Sequence, residues 1–233
     1  MRFRHLADAG SPVDLATRYE REGADEVVVL DVSASAEGRN LVLNAVRATA
    51  SALFVPLTVG GGIRSVPDIE RALCSGADKV ALNTAGVERP NLLTEAARRY
   101  GTQCVVASID AAQDGNSWRV FVRGGRESAT RDAVQWAREC ADRGAGEIPL
   151  TSIDRDGTRS GYDLELTSTV AEAVSVPVIA SGGAGTADHV LEAFTRGDAD
   201  AALVAGILHD SITSARALKE RLAAHGVSVR LVA

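Results

Sequence analysis

The sequence predicts an α/β fold, a (β/α)8 TIM barrel made of two similar halves. The first observation is a glycine-rich segment, residues 55–65, that returns as residues 176–186 at a spacing of 121. In both copies a β-branched run leads into the glycines, and a helical stretch and a second apolar run follow. The second observation is a length of 233 residues with 45% hydrophobic content, which suits one domain around a parallel sheet. Two equivalent halves related by a rotation close naturally into such a barrel.

The repeat extends towards the beginning of each half. The segment GADEVVVLD, residues 23–31, matches GAGEIPLTS, residues 144–152, again at a spacing of 121. Each half therefore has at least three strands in the same order, and we expect one domain with half-barrels of about residues 1–102 and 103–233. A solenoid would need more copies, and a doubly wound sheet would have one topological switch point.

The individual elements follow from the spacing of apolar residues. The predicted helices cover residues 13–22, 41–51, 69–74, 92–100, 131–142, 164–173, 189–196 and 211–225. The predicted barrel strands begin at residues 26, 54, 78, 104, 147, 176 and 200, and a two-stranded excursion around residues 118–122 follows the fourth of them. Pro149 falls inside a strand and removes a backbone donor there, so we expect a local bulge.

These strands number seven, whereas a closed barrel of this class has eight. Asp110 ends the fourth strand and lies 34 residues before Gly144, and the same interval before Gly23 reaches upstream of residue 1. We therefore expect that the first strand is missing from this chain and that the natural chain begins about 20 residues further upstream. The absence of that strand would leave two unpaired edges, which favours aggregation or a swapped dimer.

Composition and charge exclude several classes of function. A net charge of −6 with scattered acidic residues argues against a nucleic-acid surface, which would show clustered Lys and Arg. The sequence has no apolar run of 18 residues and no signal-peptide pattern, so we expect no membrane span and a cytoplasmic protein. The three cysteines and four histidines lack the spacing of a metal site or a disulfide framework. We expect no metal and no cofactor.

Glycine turns at two strand ends indicate where a ligand binds. In a parallel barrel the loops after the strands meet over one mouth, and a glycine turn before a helix offers free N–H groups to a phosphate. Because the device occurs in both halves, we predict two phosphate sites and a ligand with a phosphate at each end. Tight turns alone would also explain these glycines. The candidates are residues 60–62, Asn83 and Thr84 in one half and residues 182–183, Ala205 and Gly206 in the other.

Charged residues at strand ends are the candidates for chemistry. Asp110 follows an apolar run and suits a general acid or base if burial raises its pKa, although an Asx turn or a helix cap explains it equally well. The loop 152–158, with two aspartates, is expected to contact substrate or to form a solvated turn. Glu26, Lys79 and Glu147 begin strands and so lie at the opposite face, where a structural ion-pair ring is the simpler explanation.

Five segments of the chain resemble one known family. They are LTVGGGIRS, ADKVALNTA, VVASIDA, GAGEIPLTSIDRDGTRSGYDLEL and VIASGGAGT. They are similar to the cyclase subunits of imidazole glycerol phosphate synthase, and the similarity covers essentially the whole chain. It implies a lyase of histidine biosynthesis that combines phosphoribulosyl-formimino aminoimidazole carboxamide ribonucleotide with ammonia. The products would be imidazole glycerol phosphate and aminoimidazole carboxamide ribonucleotide. It also implies a heterodimer with a glutaminase subunit, whose ammonia travels through the barrel.

The resemblance implies a role for individual residues, with Asp110 as the catalytic acid. The matching substrate contacts are Asp31, Thr151, Asp154 and Asp156; the matching phosphate contacts are Gly62, Asn83 and Thr84 on one side and Gly183, Ala205 and Gly206 on the other; and the matching ammonia gate consists of Glu26, Lys79 and Glu147. Gly206 departs from the family, where a serine is common at this position. No segment of the chain resembles the family's first strand, which carries its second catalytic aspartate.

Two other functions stay open on the sequence. The phosphoribosylformimino aminoimidazole carboxamide ribotide isomerase of histidine biosynthesis shares the half-barrel repeat and both phosphate sites, although the loop 152–157 resembles the cyclase more closely. The other alternative is an inactive barrel that only binds phosphates or a glutaminase-type partner, because the short N-terminus would remove activity.

Overall fold

The fold is seen in a computed structural model that describes residues 11–31 and 42–231. In these ranges short parallel strands alternate with helices, as the sequence predicts for an α/β chain. The strands are β1 (Val27–Leu30), β2 (Leu57–Gly60), β3 (Lys79–Leu82), β4 (Val105–Ala107), β5 (Ile109–Asp114), β6 (Ser117–Val122), β7 (Glu127–Asp132), β8 (Ile148–Ser152), β9 (Val178–Ser181) and β10 (Ala201–Ala202).

The helices pack their apolar faces against these strands. They are α1 (Pro12–Arg21), α2 (Leu43–Ala50), α3 (Val66–Cys74), α4 (Thr84–Glu88), α5 (Asn91–Tyr100), α6 (Ala133–Asp142), α7 (Leu164–Ala171), α8 (Ala187–Thr195), α9 (Gly206–His209) and α10 (Ala215–Ala224). The short helices α4 and α9 begin at the two strand ends, Asn83–Thr84 and Ala205–Gly206, where the sequence predicts that a helix opens beside a glycine turn. The core includes the fully buried side chains of Leu57, Ile69, Leu92 and Ile148.

The parallel strands follow one another around the molecule. One sheet has the order β1-β2-β3-β4, and the other has the order β10-β9-β8-β5-β6-β7. Val106 in β4 forms a parallel bridge with Glu147, next to β8, and so joins the two sheets. Within residues 11–31 and 42–231, no strand pairs with the outer edge of β1 or of β10. The predicted absence of the first strand concerns a stretch upstream of the described residues, and it stays a prediction.

The excursion after the fourth barrel strand is larger than predicted. Strand β5 continues past Asp110 to Asp114, turns into β6 and then into β7, which gives an antiparallel meander of three strands. The prediction that Asp110 ends a strand is therefore wrong. Asp110 pairs with Thr151 of β8 on one side and with Phe121 of β6 on the other.

Pro149 does not produce the predicted bulge in β8, which pairs continuously with β9 and places Pro149 opposite Ile179. The Ile148 N–H donates towards β9, to the Pro177 carbonyl at 2.9 Å. Because the backbone N–H groups of successive strand residues point to opposite neighbouring strands, the N–H that Pro149 lacks would point towards β4 and β5. On that side the ladder is interrupted at Ser108, which separates β4 from β5. The missing donor thus coincides with a break in the neighbouring strand.

The two-fold repeat is visible in the hydrogen bonds as well as in the sequence. The Asp78 carboxylate accepts from the Leu57 N–H at 2.8 Å, and Asp200, its counterpart 122 residues later, accepts from the Val178 N–H at 2.9 Å. The helices α3 and α8, which follow the glycine turns, both begin with a hydroxyl side chain that caps the third helical N–H. Equivalent side chains therefore fix the same backbone in each half.

These carboxylates give a test of how the halves are stabilised. Replacing Asp78 or Asp200 with alanine leaves the N–H of a buried strand residue without its acceptor, so each change should lower the free energy of unfolding by about 1–3 kcal/mol. Asparagine keeps an acceptor oxygen at the same place, so Asp78→Asn and Asp200→Asn should lose clearly less. Urea unfolding of the four variants measures the differences. Equal losses for alanine and asparagine would contradict a role for these hydrogen bonds.

Candidate active site

Polar side chains from two strand ends converge on Asp110. The Asn83 side chain, after β3, donates from Nδ2 to Asp110 Oδ2 at 2.9 Å. Thr151, at the end of β8, also hydrogen-bonds the Asp110 carboxyl, and Asp156 in the following loop lies close enough for its charge to act on it. Asp110 remains partly accessible to solvent, so the group that these residues surround is open to a ligand.

This environment brings the pKa of Asp110 to about 7. Burial is the main cause and the charge of Asp156 adds to it, whereas the hydrogen bonds from Asn83 and Thr151 act in the opposite direction. Burial also raises the pKa of Asp156, against a backbone hydrogen bond from Gly157. A carboxyl group whose pKa lies near neutrality can both give and take a proton at physiological pH, which general acid–base catalysis requires.

The side-chain oxygen of Asn83 is buried and has no hydrogen-bond partner in the described part of the chain. A buried acceptor without a donor is unfavourable by roughly 1–3 kcal/mol, so a ligand that offers an N–H or O–H group would be stabilised here. The Asn83 amide has two N–H groups, one of which donates to Asp110, and its carbonyl oxygen can only accept. The side chain of Asn83 therefore holds Asp110 and offers its oxygen to a donor group of the ligand.

The glycine turn after β2 has a shape that only glycine permits. Gly61 has a φ of +93°, and a β-carbon on it would lie 2.2 Å from the Asp31 carbonyl oxygen. Gly62, also at positive φ, is buried beside it. Thr84 begins α4 after the next strand, and its hydroxyl accepts from the Arg123 N–H at 2.9 Å. The turn between β6 and β7 thus docks next to the first predicted phosphate site.

The second predicted phosphate site lies after β9 and β10. Gly183 has a φ of +105°, a β-carbon on it would lie 2.2 Å from the Gly161 carbonyl oxygen, and its own carbonyl accepts from the Gly161 N–H at 2.9 Å. The loop after β8 is therefore packed directly on the glycine turn. Ala205 and Gly206 are exposed at the start of α9. A β-carbon on Gly206 would meet no atom within 4 Å, so a serine would also fit at this position.

Two of the predicted substrate contacts, Asp154 and Asp31, form no described hydrogen bond with Asp110. Asp154 is exposed, and its carboxylate accepts from the Gln113 N–H at 2.8 Å, which ties the loop after β8 to strand β5. Asp31 follows β1, is partly accessible and donates its backbone N–H to Gly60 at 3.0 Å. Both positions border the mouth, as their place after strands predicted.

The three residues predicted at the opposite end form one cluster. Lys79 Nζ donates to Glu26 Oε2 at 2.6 Å and to Glu147 Oε2 at 2.8 Å. Burial works to lower the pKa of Lys79, but the hydrogen bonds with Glu147 and Glu26 outweigh it and raise the pKa. Thr58, a buried residue that the sequence analysis missed, donates its hydroxyl to Glu26. Its position as a polar residue inside the otherwise apolar strand β2 could have indicated that Thr58 has a polar partner.

Residues 11–31 and 42–231 contain no group of three or more His, Cys, Asp or Glu side chains placed to hold a metal ion. None of their helices is long and apolar enough to cross a membrane.

Comparison with known proteins assigns the family. The model of a family described as "Histidine biosynthesis protein" matches residues 1–214. The chain belongs to this family. The (β/α)8 barrel predicted from the sequence is the fold class of this family, and the described strands and helices have its alternating parallel pattern.

Three relatives named "Imidazole glycerol phosphate synthase subunit HisF" match nearly the whole chain. The protein from Myxococcus xanthus is 61% identical over 230 residues, which cover 99% of this chain and 91% of the relative. The protein from Metallosphaera sedula is 56% identical over 230 residues, with 99% and 92% covered. The protein from Methanopyrus kandleri is 53% identical over 249 residues, again with 99% and 92% covered.

The raised pKa of Asp110 predicts how stability depends on pH. The folded protein holds the Asp110 proton up to a pH of about 7, whereas the unfolded chain releases it near 3.8, so stability falls as pH rises between these values. Asp110→Asn cannot ionise, and its free energy of unfolding relative to the wild type should therefore increase by about 2–3 kcal/mol from pH 5 to pH 8. Urea unfolding at both pH values measures this.

The control is Asp114→Asn, which removes an exposed carboxylate from the same strand. Its difference from the wild type should be the same at pH 5 and pH 8. A constant difference for Asp110→Asn as well would show that the Asp110 charge is not buried in the folded protein.

Proposed function

We propose that this protein is the cyclase subunit of imidazole glycerol phosphate synthase and acts as a lyase in histidine biosynthesis. The observation that carries the proposal is the identity of 53–61% to three subunits of that name over 99% of the chain. The chemistry of the site agrees with it, because a carboxyl group with a pKa of about 7 lies among two glycine turns and further polar groups at the mouth. The isomerase alternative is not favoured, since these relatives carry the synthase name.

In the proposed reaction, ammonia condenses with the ribulosyl carbonyl of phosphoribulosyl-formimino aminoimidazole carboxamide ribonucleotide. Ring closure then yields imidazole glycerol phosphate and expels aminoimidazole carboxamide ribonucleotide. Asp110 exchanges protons in these steps, donating as the acid and accepting as the carboxylate. Asn83 and Thr151 hold the carboxyl in place and favour its ionised form, while Asp156 and burial favour the protonated form. This balance keeps both forms available near pH 7.

The two ends of the substrate each carry a phosphate, which the two glycine turns suit. We assign one phosphate to the turn of Gly62 together with the start of α4 at Asn83 and Thr84. The other belongs to the turn of Gly183 with Ala205 and Gly206 at the start of α9. Support comes from the positive φ angles of both turns, which hold the backbone close to its neighbours and leave N–H groups for an anion. Asp31, Thr151, Asp154 and Asp156 border the space between them.

The N-terminal face is the proposed entrance for ammonia. Lys79 bridges Glu26 and Glu147 there, and the three side chains are 16–24% exposed, so the cluster lies between solvent and the interior. We assign it the role of the ammonia gate. The relatives are named as subunits, which supports a partner, and a glutaminase subunit that docks on this face would release ammonia directly at Lys79. The partner and the bisphosphate substrate belong to the same proposal.

The direct test is turnover with ammonium salt as the nitrogen source at pH 8. The protein should consume the bisphosphate substrate in an ammonia-dependent reaction and release the two products. Asp110→Asn should lower kcat by roughly 10²- to 10⁴-fold, because it removes the proton donor and acceptor. Asp114→Asn, on the same strand, should retain wild-type turnover. Normal turnover by Asp110→Asn would overturn the assigned role, and conversion of the aminoaldose precursor to a ketose without ammonia would indicate the isomerase.

A second test concerns the groups that hold Asp110. Asn83→Ala removes a hydrogen bond that lowers the pKa of Asp110, so the limb of the pH profile of kcat/KM that reports this group should move to higher pH. Thr151→Val removes the other such bond and should move the limb in the same direction. Both variants should unfold at temperatures close to the wild type. An unchanged profile with a raised KM alone would restrict the Asn83 side chain to substrate binding.

A further inference from the structure

A polar cluster joins helix α1 to the short helix α9. Arg18 Nη2 donates to the Leu208 carbonyl oxygen at 2.8 Å and to the Tyr19 hydroxyl at 3.0 Å. The Tyr19 hydroxyl in turn lies 2.5 Å from His209 Nδ1, and the centroids of these two rings are 5.7 Å apart. The partners in α1 and α9 are 190 residues apart in sequence, so the cluster ties one end of the described chain to the segment after β10.

The direction of these hydrogen bonds follows from the chemistry of the three side chains. A guanidinium group can only donate, so the Tyr19 oxygen accepts from Arg18 and uses its own O–H to donate to His209 Nδ1. Burial and the charge of Arg18 lower the pKa of His209, while Asp210 acts in the opposite direction. The imidazole is therefore neutral at neutral pH and can accept at Nδ1. Arg18, Tyr19 and His209 form one connected network.

This network holds the segment that carries the proposed second phosphate site. Ala205 and Gly206 stand at the start of α9, and the N–H groups of Leu208 and His209 both donate to the Ala205 carbonyl, at 3.0 and 2.9 Å. A movement of the end of α9 would therefore displace Ala205 as well. Backbone N–H groups that bind an anion have to be held in place by their surroundings, and α1 does this for α9 from outside the mouth.

The repeat shows that the fold itself does not require a polar network at this place. Helix α6 lies 121 residues after α1, and α4 lies 122 residues before α9. In that equivalent pair of helices, Tyr19 corresponds to Cys140 and His209 corresponds to Val87. Cys140 and Val87 both belong to the apolar core. The same helices are thus joined by apolar side chains at the first phosphate site and by hydrogen bonds at the second.

The helices at the two proposed phosphate sites are also fixed at different ends. Thr84, the first residue of α4, accepts from the Arg123 N–H of the meander at 2.9 Å. Its counterpart in α9 is Gly206, which has no side chain to bind a neighbour. Helix α9 is held at its other end instead, through Leu208 and His209. The network in the second half therefore takes the place of the threonine in the first.

We propose that Tyr19 and His209 are positioning residues for the second phosphate, because their hydrogen bond holds α9 with the backbone of Ala205 and Gly206 in place for it. The inference rests on the proposed function for the ligand and for the location of the site. Both side chains act through the backbone of α9 and need not touch the phosphate. Loss of their hydrogen bond should therefore weaken the binding of one end of the substrate and leave proton transfer at Asp110 unchanged.

The experiment follows inorganic phosphate at the two sites separately in one sample. The backbone amide NMR signals of Ala205 and Gly206 report on the second site, and those of Gly62 and Thr84 report on the first. Tyr19→Phe removes the hydroxyl and keeps the ring, so the Kd for phosphate at the second site should rise about 3- to 10-fold. The Kd at the first site should stay at the wild-type value. An unchanged Kd at the second site, or an equal loss at both sites, overturns the proposal.

Two further variants test whether the hydrogen bond itself is responsible. Tyr100→Phe is the matched control, because it removes a buried hydroxyl that has no hydrogen-bond partner in the described part of the chain, and it should change neither Kd. His209→Ala should give the same loss as Tyr19→Phe, and the double variant should lose no more, since each change breaks the same bond. Additive losses in the double variant would show that Tyr19 and His209 act separately and would overturn the network.

Turnover with ammonium salt distinguishes a positioning role from a general effect on the fold. Tyr19→Phe should raise KM for the bisphosphate substrate about 3- to 10-fold with kcat close to the wild-type value, as expected for a lost binding interaction. A lower kcat at an unchanged KM would contradict the positioning role. A wild type that binds phosphate at neither site would overturn the proposed phosphate sites and this inference together. A wild type that binds at both, with Tyr19→Phe unchanged, would overturn this inference alone.

Discussion

The mouth of this protein depends on a backbone contact that only glycine permits. A β-carbon on Gly61 would lie 2.2 Å from the Asp31 carbonyl oxygen, and one on Gly182, 121 residues later, would lie 2.8 Å from the Ser152 carbonyl oxygen. In each half the turn after one strand is therefore pressed against the end of the preceding strand. This contact brings the loops over the mouth together, and it explains why the glycines are the most recognisable feature of the repeat.

Each end of the barrel buries part of an ionisable side chain, and the outcome differs: Lys79 keeps its charge, whereas Asp110 keeps a proton. At the N-terminal face, burial alone would lower the pKa of Lys79, but two carboxylates hydrogen-bond it and its pKa rises. At the mouth, Asp110 has only neutral hydrogen-bond donors, and the nearby Asp156 repels its charge, so burial prevails and its pKa rises to about 7. The first arrangement holds a permanent charge in a fixed ion pair. The second keeps a proton exchangeable, as an acid–base group needs.

The sequence allowed the fold to be predicted wherever the repeat or apolar periodicity was strong. The parallel strands and most helices were predicted, as was the meeting of Glu26 with Lys79, because strands that begin together place their first residues on one face. The third strand of the meander was missed, because the polar stretch of β7 has no buried alternation to reveal it. The contact between Asn83 and Asp110 was also beyond the sequence, since it depends on side-chain direction across neighbouring strands.

Comparison of the halves separates what folds the chain from what acts on a ligand. The carboxylates that bind strand backbones, the helix caps and the glycine turns occur in both halves. The carboxylates and caps each satisfy a backbone N–H group, and the glycines allow the close contact between strand ends. Asn83 and Thr84, in contrast, correspond to Ala205 and Gly206, 122 residues later. Those two residues offer no amide to Asp110 and no hydroxyl to the meander. The backbone at the two proposed phosphate sites is thus similar, whereas the side chains differ, and Asp110 takes a hydrogen bond from Asn83 of the first half and one from Thr151 of the second. Symmetry of the backbone with asymmetry of the side chains is what a substrate with two like ends and one reacting centre demands.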